Sequence, residues 1–138
     1  MRCVTELKSW SFQRDDRPVE QVIVPHDWAI SGPFDRNNDI QFTSIVEDGQ
    51  TRSIEHTGRT GGLPHVGSGR YTCSIPGPDS PDRCVFLDFD GVMSRAKVYI
   101  NGKLAGSRNY GYSSFRVDAG QFLHPGSNSV EEIGRAHV

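Results

Sequence analysis

The chain has 138 residues, of which 35% are hydrophobic, with 15 Gly, 8 Pro and a formal net charge of -2. That size allows one domain around one sizeable core, and the Gly and Pro content suits a loop-rich β protein better than a helical bundle. No run of Lys or Arg could neutralise a row of phosphates, which argues against nucleic acid as a partner, and apolar stretches such as Val22-Ile23-Val24 fall far short of the roughly 20 residues that cross a bilayer.

Residues 1–10 show no apolar secretion core, which leaves the compartment open. Three cysteines, Cys3, Cys73 and Cys84, form no C-x-x-C pair and have no histidine at metal-ligand spacing, so free thiols and no metal are expected.

Along the chain, apolar residues do not recur at helical spacing over more than a turn or two, whereas several short runs alternate apolar and polar positions. A first strand is expected over residues 21–24. Residues 40–46 and 51–54 flank Asp48-Gly49, a pair that supplies the positive φ angles of a tight hairpin. Strands follow over 69–75 and 83–90, separated by the breaker cluster from Pro76 to Pro81, which supports neither a ladder nor a helix. Residues 95–100 meet 103–105 across Asn101-Gly102, the strongest short hairpin signal in the chain. A last strand is expected over 114–117. With a period of two, Leu87, Phe89, Val98 and Ile100 face one core. Many short strands, each apolar on one side, imply two antiparallel sheets packed face to face.

Two clusters offer candidate chemistry. Asp88 and Asp90 lie two apart on a predicted strand, roughly 6.5 Å along it, within the roughly 5 to 9.5 Å that separates glycosidase carboxylates. Nothing around them raises one pKa, however, so solvated strand carboxylates are expected and no residue is assigned as catalytic. His26-Asp27-Trp28 joins an imidazole, a carboxylate and an indole, groups that suit sugar recognition, because a carboxylate accepts from hydroxyls and an indole packs on a pyranose face. The same residues also suit a structural role, with Trp28 in a core and Asp27 capping local backbone donors. Tyr110-Gly111-Tyr112 could stack on sugar, although aromatic pairs beside strands more often pack between layers. Gly61-Gly62 lacks the Lys-Ser/Thr and following helix of a phosphate loop and reads as a turn.

Six ordered blocks give these features a family. Val24-Pro25-His26-Asp27-Trp28-Ala29-Ile30-Ser31-Gly32-Pro33-Phe34 resembles a segment of glycoside hydrolase family 2, the β-galactosidase-like enzymes. Leu7, Trp10 and Phe12 resemble the family's opening, and Thr60-Gly61-Gly62-Leu63-Pro64 with Gly67, Gly69 and Tyr71 its glycine-rich loop and strand. Val85-Phe86-Leu87-Asp88-Phe89-Asp90-Gly91-Val92, Lys97-Val98-Tyr99-Ile100-Asn101-Gly102-Lys103 and Tyr110-Gly111-Tyr112-Ser113-Ser114-Phe115 resemble three further blocks in the family's order. The chain departs from the pattern at Arg70, where the family carries Trp.

The resemblance implies an all-β fold, a jelly-roll (galactose-binding-like) β-sandwich, incomplete at its C-terminal end, preceding an immunoglobulin-like domain and a catalytic barrel that carries the two glutamates of a retaining enzyme. It implies a non-catalytic domain of a glycoside hydrolase, inactive alone, with the downstream catalytic domain as partner and His26, Asp27 and Trp28 near the rim of its pocket. The long insertion over residues 35–60 leans toward β-galactosidases. No cofactor is expected. The competing reading is an autonomous carbohydrate-binding module, whose aromatic platform would have to come from Trp28, Tyr110 and Tyr112. The domain is expected over residues 1–131. Residues 132–138, Glu132-Ile133-Gly134-Arg135-Ala136-His137-Val138, read as an in-frame translation of a short-read sequencing adapter, standing where the family has an apolar strand that begins near Asn128. These residues are expected to pack poorly.

Overall fold

The computed structural model describes residues 2–38, 40–57, 65–92 and 94–136. Ten strands and two 3-10 turns make up its regular structure: β1 (Ser9–Arg14), β2 (Glu20–Ile23), β3 (Ile40–Glu47), β4 (Gln50–Thr57), β5 (Gly67–Pro76), β6 (Phe86–Phe89), β7 (Ala96–Ile100), β8 (Lys103–Arg108), β9 (Phe115–Asp118) and β10 (Ser127–Ala136). They fall into two compact units, one built from residues 1–26 and 67–137 and the other from residues 27–66.

The first unit is the sandwich. One layer is a six-stranded antiparallel sheet in the order β2-β1-β5-β10-β7-β8, and the other is the β6–β9 pair. Between them lie Trp10, Ile75, Leu87, Val98, Ile100, Val117, Ala119 and Val130, with Phe89 and Phe115 packed against this cluster. Alternation places them there: on β7, Ala96, Val98 and Ile100 are buried while Lys97 is exposed. The four side chains expected to share a core do so. Strand β1 is not signalled by periodicity alone, because its inward row Trp10, Phe12, Arg14 ends in a charged residue, which is itself buried.

Both tight hairpins form as read. Asn101 and Gly102 have φ of 50° and 78°, and Asp48 and Gly49 have 49° and 74°, the paired left-handed geometry of a two-residue turn whose twist matches the strands. Beyond the first turn, β8 lies so close to β9 that a Cβ on Gly106 would come within 2.7 Å of Val117 Cγ2. Strand β6 covers Phe86–Phe89 and is shorter than the expected 83–90.

The expectation for the last residues is corrected over Glu132 to Ala136. These continue β10, pairing with β5 from Ser127↔Pro76 to Ala136↔Gly67 and with β7 from Val130↔Ile100 to Ile133↔Lys97. The reason is that a ladder is made by backbone N–H and C=O groups, which any non-proline residue supplies. The side chains register the misfit instead. Glu132 faces inward between Tyr71 and Val98, 4% exposed, and its Oε1 has no hydrogen-bond partner.

One polar network does belong in the interior. Asn128 is fully buried; its Nδ2 donates to the carbonyls of His124 (2.8 Å) and Gly126 (3.3 Å), and its Oδ1 accepts from His124 N (2.9 Å) and Asn101 Nδ2 (2.8 Å). Asn101 Nδ2 also donates to Phe122 O at 2.9 Å, and Asn101 Oδ1 accepts from Ser129 N at 3.0 Å. Gly77 completes the packing: a Cβ there would lie 2.0 Å from His124 O. The three cysteines are free thiols, and burial pushes Cys73 up to about 11.

The second unit holds the β3–β4 ribbon, whose eight-residue strands pair in full from Ile40↔Thr57 to Glu47↔Gln50. Its side chains are almost all exposed, and cross-strand polar contacts such as Thr43 Oγ1 to His56 Nε2 at 2.6 Å and Arg52 to Glu47 at 3.2 Å decorate it. The turn expected at Gly61-Gly62 lies outside the described residues.

Candidate functional site

The segment His26-Asp27-Trp28 is held by three different devices. His26 belongs to the sandwich unit, where its Nδ1 and the Tyr71 hydroxyl share a hydrogen bond of 2.9 Å and its ring stands edge-on to Phe12 at 4.8 Å. Asp27 and Trp28 belong to the other unit. Asp27 is the N-cap of the 3-10 turn Trp28–Ser31: its extended backbone (φ -115°, ψ 99°) lets Oδ1 accept from Ala29 N at 3.0 Å. That bond occupies one carboxylate oxygen of an exposed side chain. Trp28 is 4% exposed, with its ring centroid 6.0 Å from that of His65, and its carbonyl accepts from Ser31 Oγ at 2.8 Å. Its indole therefore presents no open face in this structure.

Asp88 of β6 and Asp90 just beyond it are brought to an open depression of about 440 Å³, lined by Asp88, Phe89, Asp90, Ser114, Phe115 and Arg116. Strand pairing sets Asp88 directly across from Arg116, and the guanidinium donates twice to the carboxylate, from Nε to Oδ1 at 2.6 Å and from Nη2 to Oδ2 at 2.9 Å. These hydrogen bonds, with the charge behind them, hold the Asp88 carboxyl below the usual carboxylate range. A general acid needs the opposite shift. Asp88 is thus an ion-paired surface carboxylate. Arg116 is absent from the sequence reading because β6 and β9 meet across 28 residues, a pairing that no local pattern signals. Among the described residues, no group of three or more His, Cys, Asp or Glu could hold a metal ion.

The aromatic pair of the β8–β9 turn lies on the surface, against the expectation of packing between layers. Tyr110 is 60% and Tyr112 86% exposed, with ring centroids 5.6 Å apart at 61°.

No family model matches the chain. Among curated proteins, it is 31% identical over 117 residues to a protein of Formosa agariphila that carries the name of a β-glucuronidase, a match covering 84% of the chain. It is 34% identical over 102 residues, 72% of the chain, to the β-galactosidase BoGH2A of Bacteroides ovatus. The chain spans 10% of the length of each of these relatives. Among solved structures, a glycosyl hydrolase family 2 member from Bacteroides cellulosilyticus superposes with a TM-score of 0.64 at 22% identity, over 94% of the chain and 17% of that protein. A β-glycosidase from Bacteroides vulgatus gives a TM-score of 0.65 at 24% identity, over 91% of the chain and 16% of that protein. These two superpositions establish the shared fold, and the two curated relatives add the sequence kinship: the chain is a jelly-roll β-sandwich domain of glycoside hydrolase family 2.

Proposed function

We propose that this domain works without catalysing, as part of a retaining β-galactosidase-type enzyme whose catalytic domain it supports, with His26-Asp27-Trp28 at the rim of that domain's pocket. The observation that carries the reading is the state of Asp88, which lines the depression and is paired with Arg116. Retaining hydrolysis needs a protonated acid and a separate nucleophile about 5 to 5.5 Å apart, and Asp88 is instead held ionised by Arg116. The preference for β-galactosides draws on the kinship to BoGH2A. Residues 132–138 we take as foreign to the sandwich, a reading supported by the unpartnered carboxyl that Glu132 carries into its interior.

The rim role rests on Asp27, which is exposed and uses Oδ1 for the cap. Its other oxygen can accept from a sugar hydroxyl. In the full-length enzyme, Asp27→Ala is expected to lower kcat/KM about tenfold, the worth of one charge-assisted hydrogen bond. Asp27→Asn keeps an oxygen to cap Ala29 N but removes the charge, so it is expected to retain the fold and lose several-fold in kcat/KM. Unchanged kinetics in both variants would leave Asp27 a capping residue only.

A further inference from the structure

Of the aromatic side chains that could form a sugar platform, Trp28 is buried while Tyr110 and Tyr112 stand in solvent. Tyr112, at 86% exposed, keeps almost none of its surface from water, and its ring meets that of Tyr110. The base that carries the rings is nevertheless fixed. Arg95 N donates to Asn109 O at 3.2 Å on one side, and Arg108 Nη2 donates to Ser113 Oγ at 3.1 Å across the turn. Two amphipathic rings are thus presented at low conformational cost, each with an apolar face and a hydroxyl at its tip.

From this geometry we infer a carbohydrate-binding site at the Tyr110–Tyr112 turn. The 61° angle between the rings makes an open wedge. A pyranose can lay its C–H face on one ring and meet the edge of the other, while the two phenolic hydroxyls exchange hydrogen bonds with sugar hydroxyls. The wedge offers ring faces and hydroxyls as its contact groups, which suits it to a neutral sugar. The site would hold a neutral β-linked oligosaccharide. It rests on the proposed function only in taking a sugar as the ligand, and it is tested by binding rather than turnover, so the two can fail separately.

The experiment titrates the purified chain with β-1,4-galactotetraose and with cellotetraose, following the tyrosine ring resonances by NMR and the heat by calorimetry. At least one tetrasaccharide is expected to bind with Kd on the order of 1 mM, shifting Tyr110 and Tyr112. Tyr112→Ala is expected to weaken binding about tenfold, in line with the worth of one aromatic contact, and Tyr110→Ala/Tyr112→Ala to abolish it. The melting temperature should stay put in both, because exposed rings contribute little to the core. No binding of either sugar, as for a face built to meet protein, would overturn the site. Binding that survives the double substitution would overturn it equally.

Discussion

Replacing Glu132 with valine is expected to stabilise the sandwich by on the order of 3 kcal/mol at pH 7. The side chain points into the core from the middle of β10, across from Tyr71 on one side and Val98 on the other, with Oε1 unpartnered. Burial pushes its carboxyl up to about 8 from 4.5. Below pH 4.5 the carboxyl is protonated whether the chain is folded or not, and it places no pH dependence on stability. Between 4.5 and 8 the unfolded chain releases the proton and the folded chain keeps it, so stability falls as pH rises through that window and levels off above 8. Urea unfolding of the wild type at pH 5 and pH 8.5 should therefore show a clear loss at the higher pH, and Glu132→Val should remove it. Glu132→Gln should also flatten the profile while leaving a buried polar group, and so recover less stability than valine. A wild type as stable at pH 8.5 as at pH 5, or a destabilised valine variant, would show that the carboxyl has a partner and that the strand was shaped around it.

The opposite effect is expected at Asn128. Substitution by alanine leaves the carbonyls of His124 and Gly126, the His124 N–H and one proton of Asn101 without their partner, around a side chain that is itself fully buried. A buried group deprived of its hydrogen bond costs about 1 to 3 kcal/mol, and some of the four can relax, so a net loss of about 3 kcal/mol or more is expected. Asn128→Asp keeps the acceptor but loses donation to two carbonyls, and should not rescue the fold. Asn101→Ala should cost less, because Asn101 is only partly buried. The double substitution should cost less than the sum of the singles, since both residues serve one network. Equilibrium unfolding of the four variants measures this; additive losses would dissolve the network into independent contacts.

These two positions mark where sequence reading reaches its limit. The turns at Asn101-Gly102 and Asp48-Gly49 were legible because a two-residue hairpin is decided by the φ preferences of two adjacent residues. The shared core of Leu87, Val98 and Ile100 was legible because alternation fixes a face without knowledge of the partner strand. The order β5-β10-β7 was not, since it joins segments far apart in the chain through backbone groups alike in every residue. For the same reason residues 132–138 are expected to pack poorly on sequence grounds, whereas the ladder runs on to Ala136 and the misfit appears at the Glu132 side chain. Asn101 was read as a turn residue, yet its amide also ties that turn to Phe122 and Ser129. In the candidate site, the residue types of His26-Asp27-Trp28 were evident but their uses were not. The sequence cannot say that the imidazole meets Tyr71, that the carboxylate caps Ala29, or that the indole is buried. Likewise, Asp88 and Asp90 suggested a pair by spacing, and only the cross-strand Arg116 decided what Asp88 does.

We propose that the hydrolytic chemistry associated with this family lies outside these 138 residues. Its most direct test is hydrolysis of nitrophenyl β-galactoside and nitrophenyl β-glucuronide by the purified chain, with a family 2 enzyme as positive control. Release no faster than in buffer is expected for both substrates, with no change on Asp88→Asn or Asp90→Asn. Turnover by the chain that either substitution abolishes would contradict it.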